Sequence, residues 1–385
     1  MNPNRLWSPA FINYGVSSGI FYMTQYVLVA ALPIILTLDL GGTALDAGLA
    51  MTYFQIGTIV CRPFAGRLID GLDKRVILLL SSILFFIIMG LFNLTTSLET
   101  IFVLRGLHGA IFALATTVMA ALAVVVLPAA RKGEGINMFA MVLGPAVGLY
   151  ALQAYGSSIL YLFLTIMTGV ALVLSNTIRL PKELAKPKHK SMKGWHISQF
   201  IEKRSVPWAL MGLFIGFTYS GVLVFIPIEL NSIGAGVWGS VFFALFALMI
   251  IISRPLVGKI YARYGSRFVI YPGIILFIMG LAILGIADTP VGIIGTAPLL
   301  GLGYGAAQPA FQALAVQSAP IERAGVSTAT YFLALDIAVG AGSIILAMIA
   351  NALGYQYLYQ ITAIIMVVAL GLYHYIIKGY SNFEV

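Results

Sequence analysis

Arg62-Pro63-Phe64-Ala65-Gly66-Arg67-Leu68-Ile69-Asp70 returns 192 residues later as Arg254-Pro255-Leu256-Val257-Gly258-Lys259-Ile260-Tyr261-Ala262. A second pair keeps the same offset: Pro128-Ala129-Ala130-Arg131-Lys132-Gly133 and Pro320-Ile321-Glu322-Arg323-Ala324-Gly325. A looser pair aligns Val27-Leu28-Val29 and Pro33 with Val222-Leu223-Val224 and Pro227, slightly out of register. Two basic segments at one offset imply a twofold internal repeat, each unit contributing six helices in the same membrane orientation. Substrate is then expected between the halves near mid-membrane, open alternately to each side.

The basic residues set span number and orientation. Lys and Arg cluster at Arg62 to Arg75, Arg131-Lys132, Arg179 to Arg204, Arg254 to Arg267 and Arg323. The intervening connections, near Gly41, Glu99, Gly156, Asn231, Asp288 and Asn351, contain none. By the positive-inside rule the basic segments are cytosolic, and of 22 Lys and Arg only Arg105 departs from the pattern. A spanning helix needs roughly 20 mostly apolar residues. Twelve spans fit: 11–38, 45–65, 76–96, 101–127, 136–156, 158–178, 206–230, 235–255, 268–288, 291–317, 326–350 and 355–377. The apolar runs are continuous and longer than the ~10-residue strands of a membrane barrel, so helices are required.

The expected fold is an all-α membrane protein of two six-helix bundles, residues 1–178 and 206–385, joined by a cytosolic linker at 179–205. That linker carries six Lys and two Arg. A short amphipathic helix near Trp195 to Glu202 is expected to lie at the interface. Both termini are expected in the cytoplasm, and the first span reads as retained rather than as a cleaved leader.

Composition excludes other classes. The chain is 60% hydrophobic and 9% charged, too little charge to clothe a water-facing surface. The +9 formal charge sits at membrane edges, so lipid headgroups rather than nucleic acid are the expected counterpart. Cys61 is the single cysteine, and the four His lack zinc-like spacing. No phosphate loop or hydrolase motif appears, so neither an enzyme nor a cofactor is expected.

Of the 13 Asp and Glu, five fall near outer ends (Asp39, Asp46, Glu99, Glu229, Asp288) and seven on the cytosolic side. Asp336 remains, about ten residues into the eleventh span. A titratable acid lining an alternating cavity can bind a proton on one side and release it on the other. Asp336 is therefore expected to carry a coupling proton or to recognise a cationic group; a helix–helix hydrogen-bond anchor near Gly340 is the structural alternative. Arg105 cannot discharge and is costly in lipid, so it must face the bundle interior. Tyr22, Gln25 and Tyr26 in the first span, Tyr219 in the seventh, and Gln308 and Gln312 in the tenth are candidate cavity residues. The last two are four apart and share a helix face. Interhelical polar contacts are the alternative for each.

Three segments resemble the major facilitator superfamily, and with the repeat the resemblance covers nearly the whole chain. The first is Gly66-Arg67-Leu68-Ile69-Asp70-Gly71-Leu72-Asp73-Lys74-Arg75, similar to the superfamily's glycine–acid–basic loop, with Gly71-Leu72-Asp73 after the acid where the family more often has basic–x–glycine. The resemblance implies a conformational clasp in which Asp70 meets the start of the eleventh helix, with Arg67, Arg75, Arg131, Arg254 and Arg323 taking part in gating. The second is Arg105-Gly106-Leu107-His108-Gly109, similar to the intramembrane arginine segment of proton-coupled members, with His108 replacing the usual Gln. It implies coupling roles for Arg105 and His108. The third, Gly144-Pro145-Ala146-Val147-Gly148, resembles an antiporter segment shortened by Ala140 and implies a gating kink. Together they imply a proton-coupled exporter of the sugar-efflux and multidrug-efflux-like branch in a bacterial inner membrane. Its partners would be protons and a small molecule, and a monomer would suffice. A proton-coupled importer of a polar metabolite and a non-transporting sensor on the same fold are the alternatives.

Overall fold

A computed structural model of the chain describes residues 9–71, 73–126, 137–177, 200–319 and 324–381. The described residues are all-α: α1 (Pro9–Leu38), α2 (Ala44–Gly71), α3 (Lys74–Phe92), α4 (Leu98–Val126), α5 (Asn137–Asn176), α6 (Val206–Ser232), α7 (Val237–Tyr264), α8 (Arg267–Leu284), α9 (Pro290–Gly295), α10 (Ala297–Gln317), α11 (Ala324–Leu353) and α12 (Tyr355–Ser381). Eleven helical segments among them are long and apolar enough to cross a membrane. Exposed Leu80 and Ile87 on α3, Ile166 and Val173 on α5, and Ile364 and Val368 on α12 form the kind of apolar surface that a bilayer covers.

The helix α5 has 40 residues, about 60 Å at the rise of an α-helix and twice the thickness of a hydrocarbon core. Gly156 interrupts it with φ 80° and ψ 173°. That left-handed φ is cheap only for glycine, so two helices meet there. The break falls between the two spans expected at 136–156 and 158–178.

Several expected boundaries move. The glycine–acid–basic segment is not a loop as far as Gly71: α2 runs through it to Gly71, and α3 begins at Lys74. The related segment around Gly258 is likewise helical, as α7 continues to Tyr264. A helix can leave the apolar layer without ending, because its backbone hydrogen bonds are internal. Asp73 has a local task, since its carboxylate accepts from the backbone N–H of Arg75 at 2.8 Å and caps α3. The helix expected over Trp195 to Glu202 lies outside the described residues up to 199. From Phe200 to Glu202 the backbone is not helical and leads into a single 3-10 turn, Lys203–Ser205.

Backbone packing divides the chain into two units. The first comprises Met1–Gly41 with Tyr53–Gly194, the second Gly42–Thr52 with Trp195–Val385. In the first unit α1 packs on α5 and α4, and α3 on α4 and α5. In the second, α6 packs on α11, α10 and α12, α10 lies on α7 and α8, and α12 lies on α8. The second unit also takes in the first turns of α2. There Thr52 Oγ1 donates to the Gly340 carbonyl at 2.7 Å, and Ser343 Oγ donates to the Gly48 carbonyl at 3.2 Å.

Close crossings depend on small residues, because no hydrophobic force drives helices together inside lipid. A Cβ on Gly109 of α4 would overlap the Phe54 carbonyl of α2, and one on Gly57 would overlap the Gly106 carbonyl. Gly258, by contrast, has nothing within 4 Å of such a Cβ. Gly109→Leu should therefore lower the melting temperature of the detergent-purified protein, at a cost of about 1–3 kcal/mol or more. Gly258→Leu should leave it unchanged or raise it, through helix propensity.

Candidate functional site

The close α2–α4 crossing positions the charged core of the first unit. Arg105 and His108 lie three apart on one face of α4, and both are completely buried. Arg105 Nη1 donates to Gln25 Oε1 of α1 at 3.0 Å and meets His108 Nδ1 at 3.2 Å. Its guanidinium carbon sits 4.5 Å from the centroid of the Phe54 ring, a cation–π contact. A guanidinium can only donate, so His108 Nδ1 accepts, the imidazole is neutral and its hydrogen resides on Nε2. That Nε2 has no hydrogen-bond partner among the described residues. Four phenylalanines enclose the imidazole instead: Phe54 and Phe85 with centroids at 5.1 and 5.0 Å, and Phe92 and Phe112 at 6.4 and 6.3 Å.

Tyr22 stands edge-on to Phe112 at 5.4 Å, one layer from this core. Tyr26 packs against α5, where a Cβ on Gly144 would lie 2.7 Å from Tyr26 Cβ. A Cβ on Gly148 would come within 2.9 Å of the Val27 backbone. The Gly144-Pro145-Gly148 segment thus forms the α5 side of a tight α1–α5 contact. Tyr161, buried and in the electrostatic field of Arg105 and Asp39, lines a cleft with Asp39, Asn93 and Ser157.

The second unit holds a different group. Tyr219 of α6 stacks on Tyr304 of α10 with centroids 4.0 Å apart, and on Phe246 of α7 at 5.9 Å. Gln308 and Gln312 are half-buried on α10; the Gln308 carbonyl accepts from the Tyr331 hydroxyl at 2.9 Å. Asp336 is half-buried on α11 and is the only charged residue of that helix. Arg254 is half-buried on α7, with an Nε that has no hydrogen-bond partner among the described residues.

Of the expected gating residues, Arg75 is exposed at the start of α3. Gly66, Arg67 and Asp70 lie on the helical backbone at the end of α2, but their side chains fall outside the described residues, as do Arg131 and Arg323 entirely. The structure joins Gln25, Arg105 and His108 into one cluster. Asp336 belongs to the other unit.

Two features escape the sequence reading. Tyr304, flanked by Gly303 and Gly305, is the aromatic partner of Tyr219; a lone tyrosine among glycines in an apolar run is the signal that marks it. Glu229, expected near a solvent-facing helix end, is only 7% exposed. Its signal is the apolar setting Phe225-Ile226-Pro227-Ile228-Glu229-Leu230, with no basic residue between Arg204 and Arg254.

A model of the Major Facilitator Superfamily matches residues 14–343. An uncharacterised transporter of that type from Methanocaldococcus jannaschii is 22% identical over 354 residues, covering 88% of this chain and 91% of the relative. The staphylopine export protein of Staphylococcus aureus is 22% identical over 353 residues, covering 86% and 87%. Among solved structures, the nucleoside transporter NupG superposes with a TM-score of 0.78 at 12% identity, covering 96% of this chain and 99% of that one, a likeness of fold.

The Arg105 cluster makes a direct prediction. Gln25→Leu removes a neutral acceptor from a fully buried cation and should cost about 2–3 kcal/mol of stability, whereas Gln25→Glu keeps an acceptor and should retain it. Thermal melting of the two purified variants reads the difference. An unchanged Gln25→Leu would show that other groups hold the guanidinium without help.

Proposed function

The chain belongs to the major facilitator superfamily, and from that premise we propose that it is a proton-driven exporter of a small molecule in a bacterial inner membrane. Membership makes it a multi-pass secondary transporter of small molecules; direction, coupling and substrate are the proposal. In this reading the chain has twelve spans, with Gly156 separating the fifth from the sixth. The basic helix ends face the cytoplasm, residues 179–205 link the halves, and a monomer is the working unit.

The observation that supports the coupling is Asp336, the single charged residue of an otherwise apolar helix. It takes a proton from outside, and release of that proton inside accompanies capture of cytosolic substrate. Arg105 supplies a permanent charge that Gln25 and His108 hold in place. With Nδ1 occupied by the guanidinium, His108 serves coupling by positioning Arg105, while Asp336 is the group that exchanges the proton. Tyr22, Gln25 and Tyr26 of the first unit, and Tyr219, Gln308 and Gln312 of the second, are proposed as substrate-contacting residues, aromatic faces for flat or cationic groups and amides for polar ones. The segment Gly66 to Arg75, the tight crossing at Gly144-Pro145-Gly148, and Arg131, Arg254 and Arg323 are proposed to govern the change of access.

Support for export over import comes from that glycine–proline segment and from similarity to a protein named for staphylopine export. The substrate class stays broad: an amphipathic drug-like compound, a sugar or a secreted metabolite.

Everted membrane vesicles, acidified inside and loaded with a pH dye, test the reading. Addition of a substrate from a chemically broad panel should release protons from the lumen. Asp336→Asn at equal membrane abundance should reduce that response at least about tenfold. A wild-type response in Asp336→Asn would remove Asp336 as the carrier.

A further inference from the structure

Glu229 is a buried carboxylate for which the transport cycle above has no use. It lies three residues before the end of α6 and is 7% exposed, with Oε2 lacking a hydrogen-bond partner among the described residues. Across from it, α12 presents two tyrosines. Tyr359, completely buried, neighbours the carboxylate without meeting hydrogen-bond geometry, and its hydroxyl has no other partner among the described residues. Tyr355 stands within the electrostatic field of the same carboxylate and stacks obliquely on Phe225, one turn back on α6, with centroids 6.5 Å apart.

A buried carboxylate needs a counter-charge, and the second unit has none to offer at this end. No Lys, Arg or His occurs between Arg204 and Arg254, between Arg267 and Arg323, or between Arg323 and His374. Every basic residue of these helices sits at the opposite end. Along α6, Glu229 is about 35 Å from the first residue of the helix. The other helices against α6 add no cation: α7 has no titratable side chain from Val237 to Ser253, α10 only Tyr304, and α11 only Tyr331 and Asp336. Tyr331 is engaged with Gln308. Measured from the shared helix ends, Asp336 lies about 20 Å deeper than Glu229, too far to share a proton with it directly. An unpaired charge in such surroundings neutralises itself by binding a proton.

We propose that Glu229, together with Tyr359, is a second proton-binding site, at the basic-free end of the second unit and separate from Asp336. In its protonated form the carboxyl is an O–H donor as well as an acceptor, and a small turn of the Tyr359 side chain satisfies both orphan groups. On deprotonation the carboxylate must gain water or a hydrogen bond from Tyr359. The site lies one turn from exposed Ser232, within reach of the aqueous phase at that end. It extends the proton-coupled reading by giving the proton a landing point distinct from Asp336.

Infrared difference spectroscopy of the purified wild-type protein, acid minus alkaline, tests this without a substrate. A carboxylic-acid C=O band should be present, should vanish in Glu229→Gln, and should persist in Asp336→Asn. In Tyr359→Phe, which keeps the carboxyl, the band should remain but move as its hydrogen-bond partner is lost. If Glu229→Gln does not fold, the Tyr359→Phe shift decides the matter. A spectrum unaltered by Glu229→Gln, or by Tyr359→Phe in the absence of a folded Glu229→Gln, overturns the proposal. Loss of coupled flux elsewhere leaves this result standing, and failure here leaves coupling through Asp336 standing.

Discussion

A guanidinium removed from water inside an apolar helix bundle is the constraint around which the first unit is organised. Arg105 cannot shed its charge, so its surroundings must replace solvent. They do so with neutral groups: the Gln25 amide, the His108 imidazole nitrogen and the face of Phe54. Each arrives from a different direction. Gln25 requires α1 to lie beside α4, and Phe54 requires α2 to cross α4 at glycine distance. His108 requires only the helical repeat. The glycines at 57 and 109 are therefore part of the charge-holding apparatus as much as of the packing.

The second unit solves a related problem in another way. Away from the basic helix ends, where Arg254 lies, its charge-bearing groups are the acids Glu229 and Asp336, at different depths. A carboxylate can accept a proton where an arginine cannot lose one. The first unit thus buries a cation that cannot discharge, whereas the second carries carboxyl groups on α6 and α11 away from the basic end of α7, where Arg254 lies. On the proposed function, this contrast is what would link conformation to proton occupancy.

Much of the fold is legible in the residues because the bilayer constrains them so strongly. Apolar runs must be helical, and basic residues mark alternate connections, so the long helices are recoverable from hydropathy alone. Their ends are less so. The helices α2 and α7 continue through charged turns to Gly71 and Tyr264, since hydropathy marks where lipid ends and not where the hydrogen-bond ladder does. Burial of Arg105 follows from its position, and Gln25 is recognisable as a polar residue in an apolar run. Their pairing is not, because 80 residues separate them and no local pattern links helices that far apart. Glu229 illustrates the converse. Its place near a helix end suggests solvent, but Tyr355 and Tyr359, more than a hundred residues later, cover it.

Proteoliposomes containing only the purified protein offer the most direct measurement of the central claim, that proton movement drives substrate movement in the opposite direction. With labelled substrate at equal concentration on both sides, an imposed gradient with the lumen acidic should draw substrate inward against its own rising concentration. A protonophore should abolish that accumulation. Substrate that merely stays equilibrated, whatever the proton gradient, would contradict the account and leave a facilitator that moves its cargo downhill.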